Sequence, residues 1–500
     1  MPPRRQNDLR SRCLQILHGT HVLLADQLRW SQQRSIKIDC GQSKFGPVIT
    51  HRAPDYRCAA SNPANEFTKR QNVSNRVRFG TSTMNLKFIC CANFLATVLV
   101  STLTVNAASD WPEFRGPTGQ GLSTATNVPL SWSATSNIAW KVAIPGEGWS
   151  SPVLLDGKIY LTSALNESNN VSLRALCVNA RDGHLEWNTE VLQPDASSVK
   201  AIHSKNSLTS PTPVVRDGRL YVHYGHMGTA ALDLTGKVLW RQTTLKYPPT
   251  HGNGGSPMLL GDQLIFSCDG GPNPFVVALD AVTGVIRWKT PRNTTASRKF
   301  SFSTPLAIDV NGETQIISPG SGFVGAYNPK DGVELWRVRY GEGYSVITRP
   351  VYAHGLLFVS SSYDRPVLYA IKPAGAKGDA TDTHVSWTHV KGVPNAPSPL
   401  VVGDELYFVS DGGIATCADA RTGNVHWNER LGGGYSASPA YAEGRLYFQS
   451  EEGVGTVLKA GKTFEVLSKN EIGERSLASI AVTDNAILLR SKSHLWRIEN

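Results

Sequence analysis

One short element recurs along this chain, and its spacing leaves few folds open. Aligned on its glycine it reads CVNARDGHLEW, ALDLTGKVLW, ALDAVTGVIRW, AYNPKDGVELW and CADARTGNVHW. Gly183, Gly236, Gly284, Gly332 and Gly423 each stand four residues before a tryptophan: Trp187, Trp240, Trp288, Trp336 and Trp427. Trp140 and Trp387 continue the series with degenerate turns. The mean interval between these tryptophans is about 48 residues, a period that marks a repeat architecture. Within the element, Asp280 and its counterparts are turn residues whose carboxylate or amide accepts backbone N–H bonds, and Gly284 supplies a positive φ. The tryptophan begins the next strand and is expected to pack on the adjoining unit. This is a building unit, not a catalytic aspartate.

A second signature precedes each turn, as in SPVLLDGKIYLTS, SPMLLGDQLIFSCDG, SPLVVGDELYFVS and SPAYAEGRLYFQS. β-Branched and aromatic residues alternate with polar ones between Gly, Pro and Asp punctuation, the pattern of a two-stranded hairpin. Eight such hairpins are present, the eighth being SLASIAVTDNAILLRS. Every unit thus offers four strands, A and B from this signature, C and D around the glycine turn. The last unit ends on SHLWRIEN and lacks its fourth strand, while NIAWKVAI (137–144) is a fourth strand with nothing before it. Joining them predicts an all-β, eight-bladed β-propeller of four-stranded blades, closed by pairing of N- and C-terminal strands, which removes the open sheet edge. A linear β-solenoid is the alternative.

The net charge of +10 suggests nucleic acid until its position is read. Residues 1–83 hold 11 Arg and 3 Lys against 4 Asp and 1 Glu, and residues 109–500 are neutral. The basic balance gives no ground for a nucleic-acid partner. Residues 84–108, MNLKFICCANFLATVLVSTLTVNAA followed by Ser109, read as a cleaved secretory signal starting at Met84, with Lys87 in a short n-region and small residues at the exit. The expected layout is an unstructured or mis-annotated extension (1–83), a signal peptide (84–108) and the propeller (109–500). A membrane anchor in place of the signal, or a transit peptide in 1–83, are the competing readings. No membrane span is expected after cleavage. Of eight cysteines only Cys177, Cys268 and Cys417 lie beyond the signal, too scattered for a disulfide framework or a zinc site.

With these hairpins and turns across nearly all of residues 110–500, the chain resembles the pyrroloquinoline-quinone-type (PQQ) β-propeller repeat family. The opening WPEFRGPTGQGLS (111–123) is similar to the start of many secreted bacterial members. The resemblance implies the fold, and a choice among quinoprotein dehydrogenases, BamB-like propellers of outer-membrane β-barrel assembly, and extracellular sensor domains. A family dehydrogenase holds a quinone and Ca²⁺ in the central funnel and often a vicinal disulfide. Here the one adjacent cysteine pair, Cys90-Cys91, lies in the signal, and no oxygen-rich calcium loop or heme-attachment motif stands out.

The loops leading into the inner strands form the funnel mouth. GEGWSSP, GEGYSVITRP and GGGYSASP place Trp149, Tyr344 and Tyr435 after flexible glycines, and the other loops carry His203, Lys205, His251, Arg298 and Lys299, with Arg349 ahead of a proline. These are the candidate ligand-binding residues, suited to protein partners or a small anionic ligand. No catalytic residue and no metal ligand is assigned. The reading is a secreted, monomeric, non-catalytic binding or scaffolding propeller of the periplasm or another cell-envelope compartment, with outer-membrane protein assembly as the nearest named role and no cofactor. The alternatives are a PQQ-dependent dehydrogenase, with PQQ and calcium as cofactors, and an extracellular sensor.

Overall fold

The computed structural model describes residues 110–167, 170–199 and 202–500. The expected extension and signal peptide lie outside the described residues. The described strands form eight sheets that follow one another in chain order, seven antiparallel sheets of four strands and one of five. Blade 3 is representative: Met258–Leu260, Gln263–Cys268, Phe275–Asp280 and Ile286–Pro291 pair in sequence, innermost to outermost. Its second and third strands are buried almost throughout, while the outer strand alternates. A sheet covered on both faces by neighbouring blades needs continuous apolar inner strands. Among the described residues, no helix is long and apolar enough to cross a membrane.

The ring closes as the sequence predicts. Ile138–Ala143 pairs antiparallel with His494–Glu499, with Lys141 opposite Trp496 and Val142 opposite Leu495, so the eighth blade takes its outer strand from the beginning of the propeller.

The glycine of the repeat has a double cause. Gly284 has φ +73°, and a Cβ there would stand 2.6 Å from Cε3 of Trp240 in the preceding blade. The turn therefore needs glycine both for its backbone conformation and for the ring laid across it. Trp240 Nε1 donates to Ala281 O in that same turn (3.1 Å), and Trp187 and Trp288 bond Leu234 O and Pro329 O likewise. Trp336 departs from the pattern. Its indole N–H goes to Gln315 Oε1 of its own blade, and it packs in a cluster with Ala376 and Ala380. These come from an insertion in blade 5, whose two-residue strand Gly378–Asp379 pairs parallel with the outer strand of blade 4, Glu334–Arg339. That fifth strand is not expected from the repeat.

The segment 111–133 crosses the turn face of the ring. Trp111 bridges Leu154 of blade 1, Pro112 O accepts from Val215 N of blade 2, and Gln120 Oε1 accepts from Tyr352 N of blade 5. Gly121 O and Ser123 N bond Tyr441 of blade 7, Thr126 O accepts from Asn485 N of blade 8, and Trp132 N donates to Asn470 Oδ1 of blade 7. The segment plugs one end of the channel. At its centre Arg349 donates to Phe114 O (2.5 Å) and to Glu113 Oε1 (3.1 Å). Burial, and then the Arg349 charge, push the neighbouring Arg115 guanidinium down to about 9.

Candidate functional site at the funnel mouth

Six of the eight blades enter their inner strand through a Ser or Thr followed by proline, blade 8 through Ser479 before Ile480 and blade 5 through Arg349, and the structure shows why a hydroxyl stands there. Ser151 N donates to Thr212 Oγ1 of the next blade (3.0 Å), Thr212 N to Ser256 Oγ (2.9 Å) and Ser256 N to Thr304 Oγ1 (3.0 Å). Beyond blade 5 the series resumes, Arg349 N to Ser398 Oγ (2.9 Å), Ser398 N to Ser438 Oγ (3.0 Å) and Ser438 N to Ser479 Oγ (2.9 Å). At the joint between blades 4 and 5, Arg349 replaces the hydroxyl and its Nε donates to Pro305 O (3.1 Å). A hydroxyl has one proton and two lone pairs. These hydroxyls accept around the ring, and among the described residues none donates to another protein group.

Above this belt lies a cavity of about 410 Å³. Phe114 of the plug is among the residues lining it. One side is an aromatic crescent built by successive loops. His203 and His251 have ring centroids 5.7 Å apart, His251 and Phe300 5.4 Å, Phe300 and Tyr344 5.4 Å, and Tyr344 and Tyr363 6.2 Å. Phe302, Trp149, Ile347 and Leu477 add to the apolar lining. The other side is polar, with Asp411, Ser436, Ser438 and Ser479.

The expected mouth cations are mostly paired. Lys205 Nζ lies 2.6 Å from Glu451 Oε1, and Arg475 lies 3.9 Å from the other oxygen of Glu451. Arg298 stacks on Tyr344 at 4.4 Å and faces Asp364 at 3.8 Å. Asp364 accepts from Tyr344 Oη (2.7 Å), so its partners are Tyr344 and Arg298 rather than the adjacent Arg365. Burial, then the bond to Asp364, raises the Tyr344 phenol. Glu452 titrates below the usual carboxylate range: burial pushes it up, but the Gly434 N–H and the Ser450 hydroxyl outweigh that.

Trp149, His203, Lys205, His251 and Tyr344 are brought together around the cavity. Arg298 sits on the rim, Lys299 Nζ reaches Pro272 O (3.4 Å), and Arg349 is buried in the floor. Tyr435 is only 1% exposed and joins the core of blades 6 and 7, because Tyr435 N is tied to Asp411 O and Gly434 N to Glu452; Ser436 lines the cavity instead. Sequence reasoning passed over Phe300, Phe302, Tyr363 and Asp411. The first two stand in SRKFSFSTP beside the selected Arg298 and Lys299, and their alternation ahead of Ser-Thr-Pro was the available signal.

The lining does not suit a calcium-bound quinone. Calcium takes six to eight oxygens with several carboxylates. Asp411 is the single carboxylate among the lining residues, and its Oδ1 accepts from Asn395 N (2.9 Å) and Ala396 N (3.1 Å). Among the described residues no group of three or more His, Cys, Asp or Glu is placed to hold a metal ion.

Comparison with known proteins places this geometry. The solved BamB of Moraxella catarrhalis superposes with a TM-score of 0.51 at 14% identity, over 72% of this chain and 96% of that one. A europium-containing methanol dehydrogenase gives 0.57 at 11% identity, over 77% and 90%. The quinohemoprotein alcohol dehydrogenase ADHIIG of Pseudomonas putida HK5 gives 0.56 at 11%, over 78% and 80%. At such identities these likenesses establish the fold alone. In sequence, the outer membrane protein assembly factor BamB of Moranella endobia (strain PCIT) is 26% identical over 232 residues, which is 39% of this chain and 55% of that protein. The match spans little more than half of that relative. The family model described as outer membrane protein assembly factor BamB matches residues 123–243 and 320–495, more than half of the chain. The chain belongs to that family.

Proposed function

We propose that this protein is a non-catalytic binding propeller of the cell envelope that holds segments of protein partners at the funnel mouth, in the assembly of outer-membrane proteins. The observation that carries the reading is the pairing of an aromatic crescent with a belt of hydroxyls, each of which accepts one backbone N–H. Thr212, Ser256, Thr304, Ser438 and Ser479 keep their own protons to donate. An extended polypeptide offers a row of backbone carbonyls to such donors and apolar side chains to Phe300, Phe302 and Tyr344. Both demands are indifferent to most of the sequence, as a scaffold for many clients requires. Aromatic rings give large contact area at low entropic cost.

The test is binding of unfolded outer-membrane protein segments to the parent and to a Phe300→Ala, Tyr344→Ser variant. Both side chains are only partly buried at the mouth, so the ring should stay folded. Loss of about tenfold or more in affinity is expected, on the scale of an interface hot spot. Unchanged binding by a folded double variant would overturn the assignment of the mouth.

A further inference from the structure

A second cavity, of about 320 Å³, adjoins the first. Trp149, His203 and Asn206 line both, so a single layer of side chains separates them. Their chemistry differs. The first is walled by aromatic rings and hydroxyls; its one lining cation beyond the histidines, Lys205, is paired with Glu451, and its one lining carboxylate is Asp411. The second holds Arg475 and Lys492, with Asn166, Ser204 and His203, against the single carboxylate Glu147.

The cations of the second cavity are incompletely matched. Among the described residues Lys492 makes no ion pair and its ammonium no hydrogen bond; only its backbone N–H is engaged, with Arg475 O. Arg475 donates to Ser204 O (3.5 Å) and has Glu451 Oε2 at 3.9 Å, in a carboxylate whose other oxygen is held by Lys205 and Ser436, each at 2.6 Å. Glu147 is fixed by its backbone, N–H to Ala164 O and carbonyl accepting from Thr209 Oγ1. His203 Nδ1 accepts from Lys205 N (3.2 Å), which puts the imidazole proton on Nε2 as a further donor. Two cations and a ring N–H thus stand against one lining carboxylate, with Arg475 alone reaching a second, Glu451, at 3.9 Å.

We infer that the mouth is a two-part receptor for the carboxyl end of a polypeptide, seating the last side chain, aromatic or apolar, in the first cavity and the terminal carboxylate against Arg475 and Lys492 in the second. The inference rests on the reading of the mouth as a binder of protein segments and goes further in naming which part of the segment it takes. At a chain terminus the carboxylate and the last side chain branch from one carbon, which suits two chambers sharing one thin wall. An internal Asp or Glu would have to carry backbone away in both directions from the narrower chamber. Charge-assisted bonds from arginine and lysine are the usual means of holding a terminal carboxylate.

The experiment is a fluorescence-anisotropy titration of the protein with short labelled peptides ending in Phe, as free acid and as amide, with an Ala-ending peptide and an internal-Glu amide alongside. Amidation should weaken binding by about tenfold or more, the scale of a hydrogen bond to a charged group. Arg475→Ala with Lys492→Ala, both exposed side chains, should weaken the acid by a similar factor and leave the amide unchanged. Ending on Ala should weaken binding further. Acid and amide binding alike, with the Phe300→Ala, Tyr344→Ser variant still defective, would overturn this inference and leave the mouth a binder of protein segments. An internal-Glu amide binding as tightly as the free acid would also overturn it. If no peptide binds and unfolded segments bind parent and mouth variant equally, both readings fall.

Discussion

Trp288 shows how much of the fold rests on single side chains. Its ring is 7% exposed, lies against Gly332 of the next blade, and donates to both Gln263 Oε1 (3.1 Å) and Pro329 O (3.0 Å). Trp288→Ala should open a cavity between blades 3 and 4 and cost about 3–5 kcal/mol, read by chemical denaturation. Asp280, its partner in the repeat, makes local bonds only: Val282 N, Thr283 N and the Thr283 hydroxyl, plus an ion pair to Arg287 shared with Asp262. The Arg287 guanidinium, aided by Thr283, holds the Asp280 carboxyl down at about 2. Its stabilisation is complete above the unfolded aspartate value of about 4 and is lost as pH falls toward 2. Asp280→Ala should therefore cost about 1 kcal/mol at neutral pH, and the difference from the parent should vanish in titrations carried toward pH 2; a gap that persists there would place the effect elsewhere. The sequence announced both roles, because turn chemistry and ring packing each demand one residue type at one spacing. It was silent on Tyr435, whose loop shares the Gly-x-Gly-aromatic form of Trp149 and Tyr344 but is tied inward by Asp411 and Glu452. Nor did it reveal that Lys205 meets Glu451, since that contact joins loops 246 positions apart.

Strands are where the reading from sequence was strongest, because a two-residue period and its punctuation are local properties. All eight hairpins, the four-strand unit and the pairing of Ile138–Ala143 with His494–Glu499 follow from it. The strand Gly378–Asp379 does not, since its partner lies about forty residues earlier and two residues carry no periodicity. The closing pair makes a direct test. Ala143 faces His494, and the next pair along is joined by Ile144 N to Ser493 O (2.9 Å), which makes Ala143 and His494 a non-hydrogen-bonded pair. Such pairs have Cα atoms about 4.5 Å apart, inside the disulfide range. Ala143→Cys with His494→Cys should crosslink on oxidation and stabilise the ring by roughly 2–4 kcal/mol. Cys177, Cys268 and Cys417 are buried and should not compete. Thiols that stay free in an oxidised, folded protein would mean that the ring closes elsewhere.

At the level of the whole molecule, two parts hold the ring that the repeat alone does not: the closing strand and the plug. They can be separated. Deleting residues 110–133 removes Glu113 and Phe114 from Arg349 and the segment's own bonds to blades 1, 2, 5, 7 and 8, yet keeps the closing strand. The Arg349 guanidinium then keeps only Pro305 O, and apolar surface covered by the plug, such as that under Trp111 and Trp132, is exposed, so a lower thermal midpoint is expected with a soluble ring. Deletion through residue 144 also exposes the edge of the eighth blade and should give aggregates. A plug deletion that melts like the parent would show that the floor contributes nothing. The joints themselves are nearly uniform, since the same ring-on-glycine contact and the same belt bond recur from blade to blade. Uniform joints carry no address of their own: apart from the linking loops, nothing in them distinguishes one blade's neighbour from another. Beyond chain order, what marks one blade from another lies in the irregular parts, the insertion clasping blade 4 and a plug that makes a different bond to each blade it meets, so that one segment of some twenty residues serves as the molecule's index.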